Sequence, residues 1–208
     1  NSLSGRWVSA PSIIQIPIGP MMNFAYLIGD AESGFCAAVD PAWDAHAIKR
    51  MSSEAGWKIQ KILLTHAHFD HANAADELSA ITGSKVFVNR FEPVDDLKGI
   101  SLEYTEEGTV IEIGKLGIQC IHTPGHTQGS QCFLVGDSVI TGDTLFVDAC
   151  GRVDLPGGSS SDMIESLKRL AALPVATKVY PGHDYGRSKV SSIGEERRNN
   201  MCMQNPEG

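Results

Sequence analysis

Thr65-His66-Ala67-His68-Phe69-Asp70-His71 is the stretch on which the reading of this chain turns. It closes the strand-length run Ile59 to Thr65 and crowds three imidazoles and a carboxylate into six residues. Imidazole nitrogen and carboxylate oxygen suit zinc, iron and manganese, and a loop at a strand end can aim alternate side chains at one point. His66 and His68 are expected to project to the same side, while Asp70 and His71 open the next turn and face a neighbouring point. That pattern is compatible with two adjacent cation positions. The bland alternative is a polar loop with incidental histidines.

These side chains cannot complete two coordination shells, so further ligands are expected behind other strands. His126 lies in Thr123-Pro124-Gly125-His126-Thr127, Asp143 in Thr141-Gly142-Asp143-Thr144, and His183 in Tyr180-Pro181-Gly182-His183-Asp184. Each follows a strand-like run and a glycine, the way a rigid scaffold presents loop residues to one face.

Working outward, Ile13 to Ile16, Phe24 to Ile28 and Gly34 to Val39 read as three strands of a meander, separated by Pro and Gly turns. Trp43, Ala47, Ile48, Met51 and Ala55 follow at helical spacing, with a stop at Gly56. Behind the histidine loop, Ala74 to Ile81 reads as a helix and Lys85 to Val88 as a strand. The second half predicts strands at Thr109 to Ile113, Ile118 to His122, Gln131 to Val135 and Ser138 to Thr141, with a hairpin turn at Gly136-Asp137. Gly157 to Ser161 is expected to be a surface loop. A helix then runs from Asp162 through Ala171 to a stop at Pro174, a strand spans Thr177 to Tyr180, and a helical, frayed tail lies beyond Ser191. Two strand-then-helix halves predict an α/β chain of αββα layering: two mixed sheets face to face with helices outside.

At 208 residues the chain suits one domain, 1–208, with a core over 13–198. The formal net charge of −8, with no basic run beyond Arg197-Arg198, argues against nucleic acid and anionic membrane as partners. No segment reaches the roughly 18 apolar residues of a membrane span, and no basic n-region precedes an apolar core at the N-terminus. The five cysteines are dispersed without a Cys-x-x-Cys pair, so a disulfide framework or zinc knuckle is not expected. A reducing cytoplasm fits these features. The sequence leaves a homo-oligomer open.

The HxHxDH run at 66–71, with TPGHTQGS (123–130), TGDTLF (141–146), CGR (150–152) and PGHDYG (181–186), resembles the metallo-β-lactamase fold superfamily in its glyoxalase II-like and persulfide dioxygenase-like branch. The resemblance implies an αββα sandwich with a site at the edge between the sheets. It implies His66, His68, His126 and Asp143 around a first metal, and Asp70, His71, His183 and the shared Asp143 around a second. Two divalent ions, zinc foremost with iron or manganese acceptable, would then activate water as hydroxide and polarise a carbonyl. Asp70 would be the catalytic carboxylate that orients the nucleophile and protonates a leaving group. A thiolate leaves with little such help, so hydrolysis of a small-molecule thioester, glutathione-derived in the hydroxyacylglutathione hydrolase manner, is the expected reaction.

Cys150-Gly151-Arg152-Val153-Asp154 resembles a stretch of the persulfide dioxygenases, which implies the alternative of one ferrous iron on His66, His126 and Asp143 oxidising glutathione persulfide. The continuation Leu155-Pro156-Gly157-Gly158 departs from the Phe-Gln of those enzymes. Glyoxalase II carries a helical C-terminal extension that contacts glutathione, whereas about 20 residues follow Arg187 here, so another thioester or related acyl substrate is an open expectation beside a glutathione-derived one. Among the remaining residues, Arg152 and Tyr185 are candidate substrate contacts, a cation and a phenol on loops beside the site. Asp40 is either a turn carboxylate or, as the resemblance implies, a hydrogen-bond partner behind the metals. His46 is expected on a solvated helix face, and His122 in the core or just behind the ligands. Cys150 is expected near the pocket without being a catalytic thiolate.

Overall fold

Alternation along the strands builds the layers. The computed structural model describes residues 10–97 and 99–204, so the N-terminal residues 1–9, read above for an export signal, lie outside it. Strand β2 (Asn23–Asp30) is buried along its whole length because both of its faces are covered. Phe24, Tyr26 and Ile28 point into a core shared with Ile113, Ile118, Phe133 and Ile140, while Ala25 and Leu27 point the opposite way, against Ile48 and Leu78. Each large side chain so buried contributes about 1.5–3 kcal/mol. A third core, around Val139, Leu145, Met163, Leu167, Leu170 and Ile193, completes the stack. The result is helix, sheet, sheet, helix, as the sequence predicts.

The first sheet runs β1 (Ser12–Ile18), β2, β3 (Phe35–Val39), β4 (Lys58–Leu63), β5 (Lys85–Asn89), β6 (Leu102–Thr105) in both chain and spatial order. β1 to β3 form the antiparallel meander, and β3 to β6 are parallel. Helix α1 (Ala45–Glu54), the single turn α2 (Phe69–Ala72) and α3 (Ala75–Thr82) lie on the crossovers. The second sheet comprises β7 (Val110–Ile113), β8 (Leu116–His122), β9 (Gln131–Val135), β10 (Ser138–Gly142), β11 (Lys178–Pro181) and β12 (Ser191–Ser192). All its neighbours are antiparallel except the β10–β11 pair, which α4 (Ser160–Ala171) connects. Helices α5 (Ile193–Asn199) and α6 (Met201–Gln204) close the outer face.

Some expectations shift in detail. The strand after α1 leaves its ladder at Leu63, so Leu64 and Thr65 already belong to the site loop. The serine run predicted as loop instead begins a helix: Ser159 is the N-cap, accepting from Asp162 N, and Ser160 and Ser161 form the first turn. β6 and β12 carry too little pattern to be read from sequence. Among the described residues no helix is long and apolar enough to cross a membrane.

This topology gathers one end of the molecule. The parallel strands β3, β4 and β5 finish at Asp40, His66 and the turn carrying Glu92, and β8, β10 and β11 finish at the loops carrying His126, Asp143 and His183. Because β2 runs antiparallel to β3, its first residue, Asn23, lies at the same end and bridges to His183, just beyond β11 of the other sheet. Phe24 N donates to Gly182 O at 2.8 Å, Gln131 N to Thr65 O and Gln131 Nε2 to Leu64 O, each at 2.9 Å, so backbone bonds join the sheets beside the site.

Candidate metal centre

Five imidazoles and two carboxylates converge at this end, and they are the ones the sequence named: His66, His68, Asp70, His71, His126, Asp143 and His183. Nitrogen atoms of His66, His68 and His126 form one group with ligand atoms within 4.8 Å of one another, and Asp70, His71 and His183 form a second. Asp143 spans them, with Oδ1 3.2 Å from His71 Nε2, and Oδ2 3.3 Å from His183 Nε2 and 3.5 Å from His126 Nε2.

The partners behind each ring decide what faces inward. His126 Nδ1 donates to Arg152 O at 2.7 Å and His183 Nδ1 to Met21 O at 3.0 Å; a carbonyl only accepts, so each Nε2 is left with its lone pair. His71 Nδ1 likewise donates to Asp40 Oδ2 at 3.0 Å. Thr65 Oγ1 donates to the same carboxylate at 2.6 Å and therefore accepts from His66 Nδ1 at 3.0 Å, which turns His66 Nε2 inward as well. Yet His71 Nε2 faces His183 Nε2 at 3.1 Å, and His126 Nε2 faces His68 Nδ1 at 2.9 Å. Converging lone pairs repel unless a proton or cation lies between them. His66 Nε2 and Asp143 Oδ1 are buried without any hydrogen-bond partner, an arrangement that costs free energy in an apo site and suits a ligand shell.

The electrostatics agree with the geometry. Burial, reinforced by His71, holds His66 well below the ordinary imidazole range. Burial and His126 lower His68 too. Burial also opposes charge on His71, but the carboxylates of Asp143 and Asp40 outweigh it and hold that ring well above its usual value. Asp143 is buried, yet His71, His183 and His66 keep its carboxyl far down. In the absence of a cation that field favours a second proton on His71, at Nε2, and a divalent cation bound there would take that proton's place.

Small residues make room for this packing. A Cβ on Gly182 would stand 2.4 Å from Asp143 Oδ1, and one on Gly151 would stand 1.8 Å from Asp143 O. Glycine is needed at both places for close approach.

Several supporting residues were invisible in the sequence. Glu92 is buried and accepts from Ala67 N at 2.8 Å, Thr127 Oγ1 at 2.7 Å and Gly129 N at 3.0 Å, which staples the loop of His66 and His68 to the loop of His126. Burial raises its carboxyl despite those donors. Asn23 Nδ2 donates to Asp70 Oδ2 at 2.8 Å and is itself held by Trp43 Nε1 at 3.2 Å. Their one sequence signal is position at a strand end, shared by many polar residues. Asp40, left open between two roles, is the hydrogen-bond partner of His71.

Of the candidate substrate contacts, Tyr185 stacks on His183 at 4.5 Å between ring centroids and is 53% exposed. Arg152 is exposed and forks onto Asp154 with two bonds of 2.7 Å, while its carbonyl orients His126. Met21, Met22 and Phe69 are also exposed, and Phe69 lies edge-on against Trp43. His46 is exposed and pairs with Glu77. His122 corrects its expectation: it is half-buried, bonds Gln128 O at 2.9 Å and stacks on Phe91, so it is neither in the core nor a partner behind the ligand candidates.

The model of the metallo-beta-lactamase superfamily matches residues 18–183, which contain every convergent side chain. The chain belongs to that superfamily. It is 34% identical over 185 residues to the probable polyketide biosynthesis zinc-dependent hydrolase PksB of Bacillus subtilis (strain 168), covering 88% of this chain and 82% of that protein. It is 42% identical over 165 residues to a hydroxyacylglutathione hydrolase of Maricaulis maris (strain MCS10), covering 78% of this chain but 62% of that longer protein. The crystal structure of ETHE1 from Myxococcus xanthus superposes with a TM-score of 0.84 at 31% identity, covering 95% of this chain and 92% of that one. The superfamily member described here is thus an enzyme of the metal-dependent hydrolase type, with divalent-metal binding supported by its relatives and by its own donor set.

Proposed function

We propose that this chain hydrolyses a small-molecule thioester, a glutathione-derived one in the first instance, at a centre of two divalent ions, zinc foremost. The observation that carries the proposal is the pair of facing imidazole sets, inward by virtue of their rear partners, with Asp143 reaching both. His66, His68, His126 and Asp143 would hold one ion; Asp70, His71, His183 and the same Asp143 the other. Such ions supply a water of lowered pKa and polarise an acyl carbonyl. The chain's own groups do the rest. Asp70, the most exposed of these carboxylates at 15%, is fixed by Asn23 and is the catalytic residue that orients the nucleophile and protonates the departing sulfur. Met21, Met22 and Phe69, exposed and close in sequence to Asn23 and Asp70, would offer apolar surface to the acyl group, and Tyr185 and Arg152 are the contacts offered to the polar part of the substrate. The relatives named as a hydroxyacylglutathione hydrolase and a zinc-dependent hydrolase support the chemistry.

The runner-up is oxidation of glutathione persulfide at one ferrous iron on His66, His126 and Asp143, favoured by the resemblance of the segment Cys150 to Asp154. Metal content, hydrolysis of S-lactoylglutathione and oxygen uptake with glutathione persulfide, measured on one preparation, separate the two. Two metals per chain with thioester cleavage are expected. One iron with persulfide-dependent oxygen uptake and no cleavage overturns the hydrolase reading.

A further inference from the structure

Two thiols meet outside the histidine cluster. Cys150 follows the Asp143 loop and Cys202 lies in α6, and their sulfur atoms approach to 2.8 Å across 52 positions of sequence. Both are half-buried, unlike Cys36, Cys120 and Cys132, which are sealed in the cores. A disulfide bond is about 2.0 Å long, so an approach of about 0.8 Å would close this pair.

We propose that Cys150 and Cys202 form a reversible disulfide, a modification site whose oxidant is a small-molecule disulfide of the glutathione type. In the first step the Cys202 thiolate attacks one sulfur of the oxidant, forms a mixed disulfide and expels one small thiolate. The Cys150 sulfur, losing its proton, then attacks Cys202 Sγ, forms the internal bond and expels the second. Two protein thiols are oxidised and one small disulfide is reduced to two thiols. The order follows from the geometry, because the Cys150 thiol donates to Cys202 Sγ and stabilises a thiolate there. That bond places Cys202 below and Cys150 above the ordinary thiol range.

The bond would join α6 to the segment that shoulders the candidate metal centre. Leu145 and Cys150 pair as an isolated bridge, and Phe146 N bonds Ala149 O at 2.9 Å. Asn200 Nδ2 already ties the same loop to the C-terminal helices through Ala149 O at 3.0 Å. Immediately after Cys150, Gly151 packs on the Asp143 backbone and Arg152 O orients His126. A covalent tie at Cys150 therefore restrains the loop beneath both of those ligand candidates, and this consequence alone rests on the proposed function. The disulfide itself stands on the sulfur geometry.

The test equilibrates the folded protein with oxidised glutathione, quenches by alkylation, counts thiols after denaturation and maps the linked peptides by mass spectrometry. The five thiols are expected to fall to three with a single 150–202 link, and the melting midpoint to rise by roughly 5–15 °C over the reduced form. Cys202→Ser should form no internal link and show no such rise; Cys150→Ser serves equally should that variant misfold. Five persistent thiols, arrest at a glutathione adduct, or links among other cysteines would overturn the proposal. Thioester hydrolysis by the reduced protein is scored separately, so failure of the catalytic reading leaves this result distinct.

Discussion

Replacing Asp40 by Asn perturbs the hydrogen bond that sets the tautomer of His71. Asp40 stands at φ +48°, a left-handed backbone that Asn also tolerates, so the exchange changes charge and donor pattern with little backbone strain. Its carboxylate accepts from Thr65 N at 2.7 Å, Thr65 Oγ1 at 2.6 Å and His71 Nδ1 at 3.0 Å, all buried. An amide that keeps its oxygen on Thr65 N turns its NH2 toward His71 Nδ1, donor against donor. His71 escapes by moving its proton to Nε2, which withdraws the inward lone pair. The opposite flip restores His71 but sets the amide against Thr65 N. Either way at least one buried charge-assisted bond is lost, about 1.5–3 kcal/mol each. At 1.4 kcal/mol per decade that corresponds to roughly 10–100-fold weaker binding at the position built from Asp70, His71 and His183. Thr65 Oγ1 shares Asp40 Oδ2 with His71, so the first orientation also frees that hydroxyl's proton for His66 Nδ1. The position built from His66, His68 and His126 is expected to weaken in the same direction but by less, since the His66 ring meets the amide only through Thr65. Zinc titration against a chromophoric chelator resolves the two constants, with far-UV circular dichroism confirming the fold. Two unchanged constants, or a loss concentrated at the His66 position, would refute the tautomer argument.

Other perturbations follow from the same geometry. Gly182→Ala inserts a Cβ 2.4 Å from Asp143 Oδ1 and 2.9 Å from the Gly142 carbonyl carbon, so hydrolytic activity should fall at least about 100-fold, as misplacement of a reacting group by an ångström entails; kcat/KM within threefold of the parent would contradict the close-packing reading. Glu92→Ala leaves the amides of Ala67 and Gly129 without their acceptor, while Thr127 Oγ1 keeps Ser130 Oγ. A loss of about 2–4 kcal/mol is expected, a drop of roughly 5–15 °C in calorimetric midpoint, and an unmoved midpoint would remove Glu92 from the scaffold. Zinc at about 100 times its dissociation constant should raise the midpoint of the chelator-treated protein by roughly 5–10 °C, about 2.7 kcal/mol by mass action. A flat response would count against the metal centre itself.

Much of the layering was legible because burial imprints itself on the sequence. Phe24 to Ile28 is apolar at every position since one face meets the other sheet and the opposite face meets α1 and α3. Helix α4 announced itself through Met163, Leu167 and Leu170 at helical spacing. β6 did not: Leu102-Glu103-Tyr104-Thr105 is a short edge strand with an exposed Tyr104, held by its parallel ladder to β5, and such pairing leaves little mark on composition. In the same way Ser160 and Ser161 read as loop until the Ser159 cap turned them into the first turn of a helix.

The sequence by itself determined the donor set, because the residue types that hold a cation are few and His66, His68, Asp70, His71, His126, Asp143 and His183 all stand directly behind strand-like runs. What only the tertiary structure decided is how those donors are aimed. Tautomer, lone-pair direction and the reach of Asp143 to both groups depend on Asp40, Arg152 O, Met21 O and Thr65, and the loops are held by Glu92 from the far side of the sheet end. Those partners are ordinary acids, hydroxyls and carbonyls with no spacing to mark them. A ligand is recognisable by its chemistry, whereas the bond that orients it forms between groups distant in sequence, and exists only once two sheets have packed.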